Sequence, residues 1–301
     1  MRKDNYDSPW KEAWDAFFEP FLRICFPAIH EAIDWSAPPK MLDKELQQIA
    51  PVAGVGTRFV DKLVEVRLQS GQNEWILIHS EIQSQAVSGF AERMFVYFYR
   101  IKDKYNKPVV SLAVLGDDDP HWRPNSLRQD VLGCKVEFQF PVVKLLDFES
   151  RSSELDNSAN PFATLILAHL GALRTRDQPL DRFDYKMQLF RRLHQSGKPS
   201  PQIRELFRLI DWMMSLPPDL DIRFAIEFED FERKHGMTYV TSFERLGLEK
   251  GLVAGKIQML QSMLGDSESS ENELFEMTRE QLEQQLRELQ QRLATRQQSE
   301  K

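Results

Sequence analysis

Two acids, Asp61 and Glu81, lie in the stretch RFVDKLVEVRLQSGQNEWILIHSEIQSQ, each inside an otherwise apolar run. A strand interior favours Val, Ile or Thr over Asp and Glu, so local preference does not account for them. Two carboxylates brought close together repel unless a cation lies between them or one binds a proton. Hard divalent cations with oxygen ligands, Mg²⁺ or Mn²⁺, suit such a pair. Whether the two acids meet depends on the elements that carry them.

Strand side chains alternate faces with a period of two. On the first strand, Phe59, Asp61, Leu63, Glu65 and Arg67 share one face; Val60, Val64, Val66 and Leu68 share the other, together with Lys62. On the second, Trp75, Leu77, His79, Glu81 and Gln83 fall on one side, and Ile76, Ile78 and Ile82 on the other. A three-residue loop, Ser70-Gly71-Gln72, with Gly at a left-handed position, joins them as a hairpin. Counting back from that loop pairs Asp61 with Glu81, with their Cβ atoms ~5 Å apart. The same alternation also describes the solvated face of an antiparallel sheet. A one-residue slip in register would send the two acids to opposite faces.

The surrounding chain is of ordinary composition, 301 residues with 42% hydrophobic and 28% charged. That length suggests about two domains and enough buried surface to fold without staples. Cys25 and Cys134 form no CxxC pattern, which argues against a disulfide framework or a structural zinc and fits a cytoplasmic location. The N-terminal stretch has no apolar run of signal-peptide type, and no segment reaches the ~18 apolar residues of a membrane span. A net charge of −7 argues against non-specific coating of nucleic acid.

Residues 1–150 read as a mixed α/β domain. DSPWKEAWDAFFEPFLRICFP opens with a capped helix start and carries Pro20 inside the helical pattern, so a kink or two helices are expected there. MLDKELQQI reads as a short helix, SGFAERMFVYFYRIKDKYNK as an amphipathic helix, and PVVSLAVLG as a buried strand. DDDPHWRPNS is a loop, and CKVEFQFPVVKLLDF an extended segment in which Pro141 marks a bulge or an edge. A polar stretch from residue 151 suggests a boundary. Helical patterns then fill 151–240, and a helical or coiled tail 241–301. From Asp266 to Lys301 the tail has nine acids against five bases, so it is no nucleic-acid arm. Gly247, Gly251 and Gly255 recur every four residues, a spacing that either allows close helix contact, as between subunits of a homo-oligomer, or simply weakens the helix.

Asp61, then Glu81-x-Gln83 on a strand, then a helix FAERMFVYF, resembles the PD-(D/E)XK nuclease superfamily. More narrowly it is similar to the recombination-promoting nuclease (Rpn)/putative transposase group, through YDSPWK, LDKEL, RFVDKLVEV, HSEIQSQ, PVVSLAVLGDD, WRP, NPFA, IDWMMSLP and YVTSFERLGLEKG. The resemblance implies an α/β, restriction-endonuclease-like αβββαβ core followed by an all-helical C-terminal region. It implies a metal-dependent endonuclease acting on double-stranded DNA, with Asp61 and Glu81 as ligands of Mg²⁺ or Mn²⁺. Gln83 then stands where the superfamily commonly has Lys, and orients a water or a phosphate oxygen. A further acid from the first helix region would be Asp7, Asp15 or Glu45. A catalytically inactive module that keeps the fold for DNA or protein binding is the alternative.

Phe90–Lys107 holds Arg93, Arg100, Lys102, Lys104 and Lys107 against Glu92 and Asp103, a surplus of +3. Such a helix can track a phosphate backbone, or its bases complement the helix dipole. The aromatics Phe95, Tyr97, Phe98 and Tyr99 read as core packing. His79, without a second His at metal-ligand spacing, reads as a neighbour of Glu81. Asp117, Asp118 and Asp119 read as a solvated loop.

Overall fold

The structure, a computed structural model, describes residues 7–43, 60–69, 75–83, 85–235, 253–262, 264, 266–267, 269–270, 273–274 and 277–299. Two compact units make up the chain, Met1–Phe224 and Ala225–Lys301. The polar stretch from residue 151 therefore lies inside the first unit and does not separate two units. The reason is packing across it, since Trp10 and Phe21 in the N-terminal helices both meet Phe162, at 5.4 and 5.1 Å between ring centres.

The unit opens with α1 (Asp7–Ala16), α2 (Phe18–Cys25) and α3 (Pro27–Ala32). The break between α1 and α2 falls at Phe17, three residues before Pro20. Proline lacks an amide hydrogen, so it sits without loss in the first turn of a new helix, where that hydrogen has no partner. Trp10, Trp14, Phe18, Phe21 and Leu22 are buried, as the helical spacing requires.

A five-stranded mixed sheet follows, in the order β1 (Lys40–Met41), β2 (Val60–Arg67), β3 (Trp75–Gln83), β4 (Val109–Leu115), β7 (Val142–Lys144). Strands β1, β2 and β3 pair antiparallel; β3, β4 and β7 pair parallel. Helix α4 (Phe90–Tyr105) makes the crossover from β3 to β4. Of the helix expected in MLDKELQQI, Met41 instead belongs to the edge strand Lys40–Met41, and 44–49 lie outside the described residues.

Both faces of this sheet are covered. Leu63 and Leu77 pack against Tyr97 and Ile101 of α4, and Ala113 and Leu115 against Phe90 and Met94. On the other face Lys62 is buried and its Nζ lies 5.7 Å from the centre of the Trp14 ring in α1. That ammonium is paired with Asp15 at 2.5 Å and Asp43 at 2.8 Å, which makes its burial tolerable.

A two-stranded ribbon, β5 (Ser126–Val131) with β6 (Cys134–Gln139), stands apart from the main sheet. The extended segment expected over CKVEFQFPVVK is thus two strands split at Phe140-Pro141. Pro141 donates nothing, but its carbonyl accepts the Ala113 amide at 3.0 Å and so starts β7 on β4. A short 3₁₀ turn, Leu145–Arg151, leads to α5 (Ser152–Asp156), α6 (Pro161–Arg174), α7 (Pro179–Gln195), α8 (Ser200–Met213) and α9 (Pro218–His235), within which the division between units falls. In the second unit, helical residues 253–262 and α10 (Arg279–Ser299) gather Ala254, Ile257, Leu274, Leu282 and Leu289 into a small core. Gly247 and Gly251 lie outside the described residues, and a Cβ on Gly255 would meet nothing within 4 Å.

Candidate functional site

In the β2–β3 ladder, Asp61 is directly opposite Glu81, between the pairs Val60–Ile82 and Lys62–Ser80. The count from the turn gave the same register, although 70–74 themselves lie outside the described residues. On β3, Glu81 and Gln83 are in turn level with Ala113 and Leu115 of β4. Positions 61, 81 and 83 therefore belong to the sheet face that α4 covers, the face of Leu63 and Leu77. The side chains of Asp61, Glu81 and His79 lie outside the described ones.

Gln83 is 3% exposed, and both ends of its amide are engaged. Its Oε1 accepts from Arg93 of α4 at 2.7 Å, and its Nε2 donates to the Gln85 carbonyl at 2.8 Å. Arg93 also lies with its guanidinium carbon 5.2 Å from the centre of the Phe90 ring, which fixes the cation from a second side. Gln83 thus holds an arginine at the end of β3, two positions beyond Glu81. Sequence reading treated these two residues separately; the signal that links them is a polar residue ending a buried strand, followed by Arg in the first turns of the next helix.

The other bases of α4 divide. Arg93, Arg100 and Lys104 recur at i, i+7 and i+11 and so form a stripe along one flank of the helix. Lys102 is exposed and lies off that stripe. Lys104 sits 5.4 Å from the centre of the Tyr105 ring, and Lys107, just past the helix, forms an ion pair with Glu65 of β2. The aromatics at Phe95 and Phe98 lie on the opposite flank, against Phe138 of the ribbon, while Tyr97 is core.

Of the candidate further acids, Asp15 is bound to Lys62 on the face of the sheet away from α4. Asp7 begins α1, with its side chain outside the described ones, and Glu45 lies outside the described residues. Among the described residues no group of three His, Cys, Asp or Glu side chains stands together as a metal site.

The aspartates after β4 are not all solvated. Asp117 is 2% exposed and its Oδ1 accepts from Lys144 Nζ at 2.5 Å, with Lys144 itself buried at the end of β7. Lys144 also donates to the Trp122 carbonyl at 3.4 Å. Beside them His169 of α6, fully buried, donates from Nε2 to the Gly116 carbonyl at 2.7 Å and accepts at Nδ1 from Trp10 at 3.3 Å. The Gly116 amide donates to the Gln83 carbonyl at 2.8 Å. This closed polar cluster anchors the end of the strand that carries Glu81 and Gln83. At the surface Asp118 pairs with Arg176, and Arg123 grips Asp147 with two bonds. The Arg123 hydrogen bonds hold the Asp147 carboxyl below its ordinary value.

No protein-family model, curated protein or solved structure matches this chain. No helix among the described residues is long and apolar enough to cross a membrane.

Proposed function

We propose that the protein is a metal-dependent endonuclease of the PD-(D/E)XK type, similar to the recombination-promoting nuclease/putative transposase group, that hydrolyses phosphodiester bonds in double-stranded DNA. The observation that carries this reading is the backbone pairing of Asp61 with Glu81, level with each other on adjacent strands. The element order among the described residues supports it too: α1 to α3, then β1, β2, β3, then α4 and β4, is compatible with the αβββαβ core that the resemblance implies.

Opposed residues of an antiparallel pair have Cβ atoms ~5 Å apart, a separation at which two carboxylates can share one divalent cation. Two carboxylates so paired would suit Mg²⁺ or Mn²⁺, and Asp61 and Glu81 would hold it. Such an ion supplies Lewis acidity and lowers the pKa of a bound water. Hydrolysis adds a water oxygen to phosphorus and releases the oxygen of the neighbouring nucleotide, which takes up a proton.

The chain's own contribution begins with Arg93. Where the superfamily commonly has a lysine this chain has Gln83, and Gln83 binds the Arg93 guanidinium at 2.7 Å. Arg93 brings to this end of β3 the positive charge that Gln83 lacks, suited to a phosphate oxygen as charge builds on it. The stripe of Arg100 and Lys104 extends the same flank for contacts to the phosphate backbone, which would make binding salt-dependent.

One observation favours a second reading, a nuclease scaffold kept for binding DNA or protein without cleavage. The Gln83 carbonyl and amide are both engaged inside the protein, away from the role of orienting a water. Plasmid cleavage separates the two. The endonuclease nicks supercoiled DNA with Mg²⁺ or Mn²⁺ and stops with EDTA, and Asp61→Ala and Glu81→Ala each abolish nicking while the circular dichroism spectrum stays that of the wild type. A protein that binds DNA equally with EDTA or Mg²⁺ and never cuts is the binding module.

A further inference from the structure

Asp61 lies where β2 is braced by a strand on one side. Strand β1 pairs with β2 only at Glu65 and Val64, so from Lys62 back to Val60 the sole strand beside β2 among the described residues is β3. The end of a strand with one neighbour is where a sheet frays first. Register matters here, because a slip of one residue parts Asp61 from Glu81 and turns it to the other face.

Side chains take over where β1 stops. The Leu42 amide still donates to the Leu63 carbonyl at 2.8 Å, but the Leu63 amide donates to Asp43 Oδ1 at 3.0 Å. A carboxylate thus supplies the last rung in place of a strand carbonyl. The other oxygen of Asp43 accepts from Lys62 Nζ at 2.8 Å, and Asp15 of α1 accepts from the same ammonium at 2.5 Å. Three elements, α1, the residues after β1 and β2, are tied at one buried side chain. Consecutive strand residues take opposite faces, so the tie lies behind the acids, one residue along from Asp61. Lys62 is also level with Ser80, the residue before Glu81. Stability alone does not call for this arrangement, because an apolar side chain of similar volume often serves as well as a buried ion pair. What the charges add is register. An ammonium with two dedicated carboxylates fits one placement of β2, whereas an apolar side chain tolerates several.

We propose that Lys62 and Asp43 are positioning residues for the acid pair, holding the end of β2 so that Asp61 stays level with Glu81; this rests on the reading of that pair as a divalent-metal site. Lys62 acts from the opposite face, through the backbone it shares with Asp61. Positioning and charge have opposite signs here. An ammonium near a cation site repels the cation, so removing Lys62 tightens metal binding if its field is all that counts. Removing it loosens binding if it holds the strand.

The test is Mn²⁺ titration of the full chain followed by electron paramagnetic resonance, with circular dichroism to confirm folding. Lys62→Met and Asp43→Ala each weaken Mn²⁺ binding about tenfold, the scale of losing a residue that orients a metal ligand. Asp43→Asn, whose side-chain oxygen can still take the Leu63 amide, weakens it only about threefold. Tighter binding in Lys62→Met means that the ammonium acts through its charge alone, and overturns the proposal. Unchanged binding in folded Lys62→Met and Asp43→Ala means that the tie serves stability only, and overturns it too. So does a loss in Asp43→Asn as large as that in Asp43→Ala. Should Lys62→Met fail to fold, the two Asp43 variants decide. A wild type that binds no Mn²⁺ is a different failure, which removes the metal reading itself and this proposal with it.

Discussion

Replacing Lys144 by Met should be one of the most damaging single changes outside the apolar core. Lys144 and Asp117 have side chains 1% and 2% exposed and meet at 2.5 Å, so neither charge can turn to water. Asp117 Oδ2 already has no hydrogen-bond partner among the described residues, which leaves the ammonium as the main compensation for that carboxylate. Removing one partner of such a pair strands a buried charge and costs about 3–5 kcal/mol. Against a total stability of about 5–15 kcal/mol, that is a fifth or more. The exposed pair beside it gives the scale: Arg123 and Asp147 have side chains 45% and 56% exposed, and Arg123→Met should cost under about 1 kcal/mol. The double variant Asp117→Leu/Lys144→Met removes both charges and should recover most of the loss. It forgoes the bond from the Asp119 amide to Asp117, about 1 kcal/mol. Guanidinium unfolding followed by tryptophan fluorescence reads all three variants, since Trp122 lies 5.7 Å from the Lys144 ammonium. A Lys144→Met protein within about 1 kcal/mol of wild type, level with Arg123→Met, would refute the reasoning.

The remaining predictions concern other parts of the first unit. Arg93→Met should lower metal-dependent nicking about 10²–10³-fold, whereas Lys102→Met should change it less than about threefold, both read from initial rates on supercoiled plasmid. A Cβ at Gly171 would come 2.1 Å from the Tyr185 ring, so Gly171→Ala should cost about 1–3 kcal/mol in the same unfolding assay. Burial pushes the Cys25 thiol far above its ordinary value while Cys134 is exposed, so a thiol reagent should label Cys134 in the folded protein and reach Cys25 after denaturation. The lowered Asp147 carboxyl contributes stability above its unfolded value of about 3.9, lost as pH falls through the folded one. Carboxyl NMR should show Asp147 titrating below 3.9 and moving up toward about 3.9 in Arg123→Ala.

Much of the sheet could be read from residue order, because turn chemistry and the period of two are local. A Gly-containing loop of three residues was enough to pair Asp61 with Glu81, and the parallel strand Val109–Leu115 announced itself as an apolar run. What escaped was decided by contacts far apart in the chain. The face carrying the acids looked like the polar side of a hairpin, yet Leu63 and Leu77 on it are buried under α4. Strand β5, with the sequence SLRQDV, shows little apolar alternation because most of it is wet: Leu127 joins Phe138 of β6 in the cluster against α4, while Arg128–Glu137 and Lys135–Asp130 pair across the ribbon at the surface. Lys144 and Asp117 are 27 residues apart, and nothing local marks either as buried. The link from Gln83 to Arg93 depends on how α4 sits on the sheet, which residue spacing does not specify.

The claim on which the function rests is that the carboxylates of Asp61 and Glu81 share a divalent ion, and Mn²⁺ binding tests it most directly. Titrating the full chain with Mn²⁺ and following the free ion by electron paramagnetic resonance should show about one bound ion per chain, displaced by Mg²⁺ and lost in both Asp61→Asn and Glu81→Gln. Undiminished Mn²⁺ binding in those two variants, or none in the wild type, would contradict it.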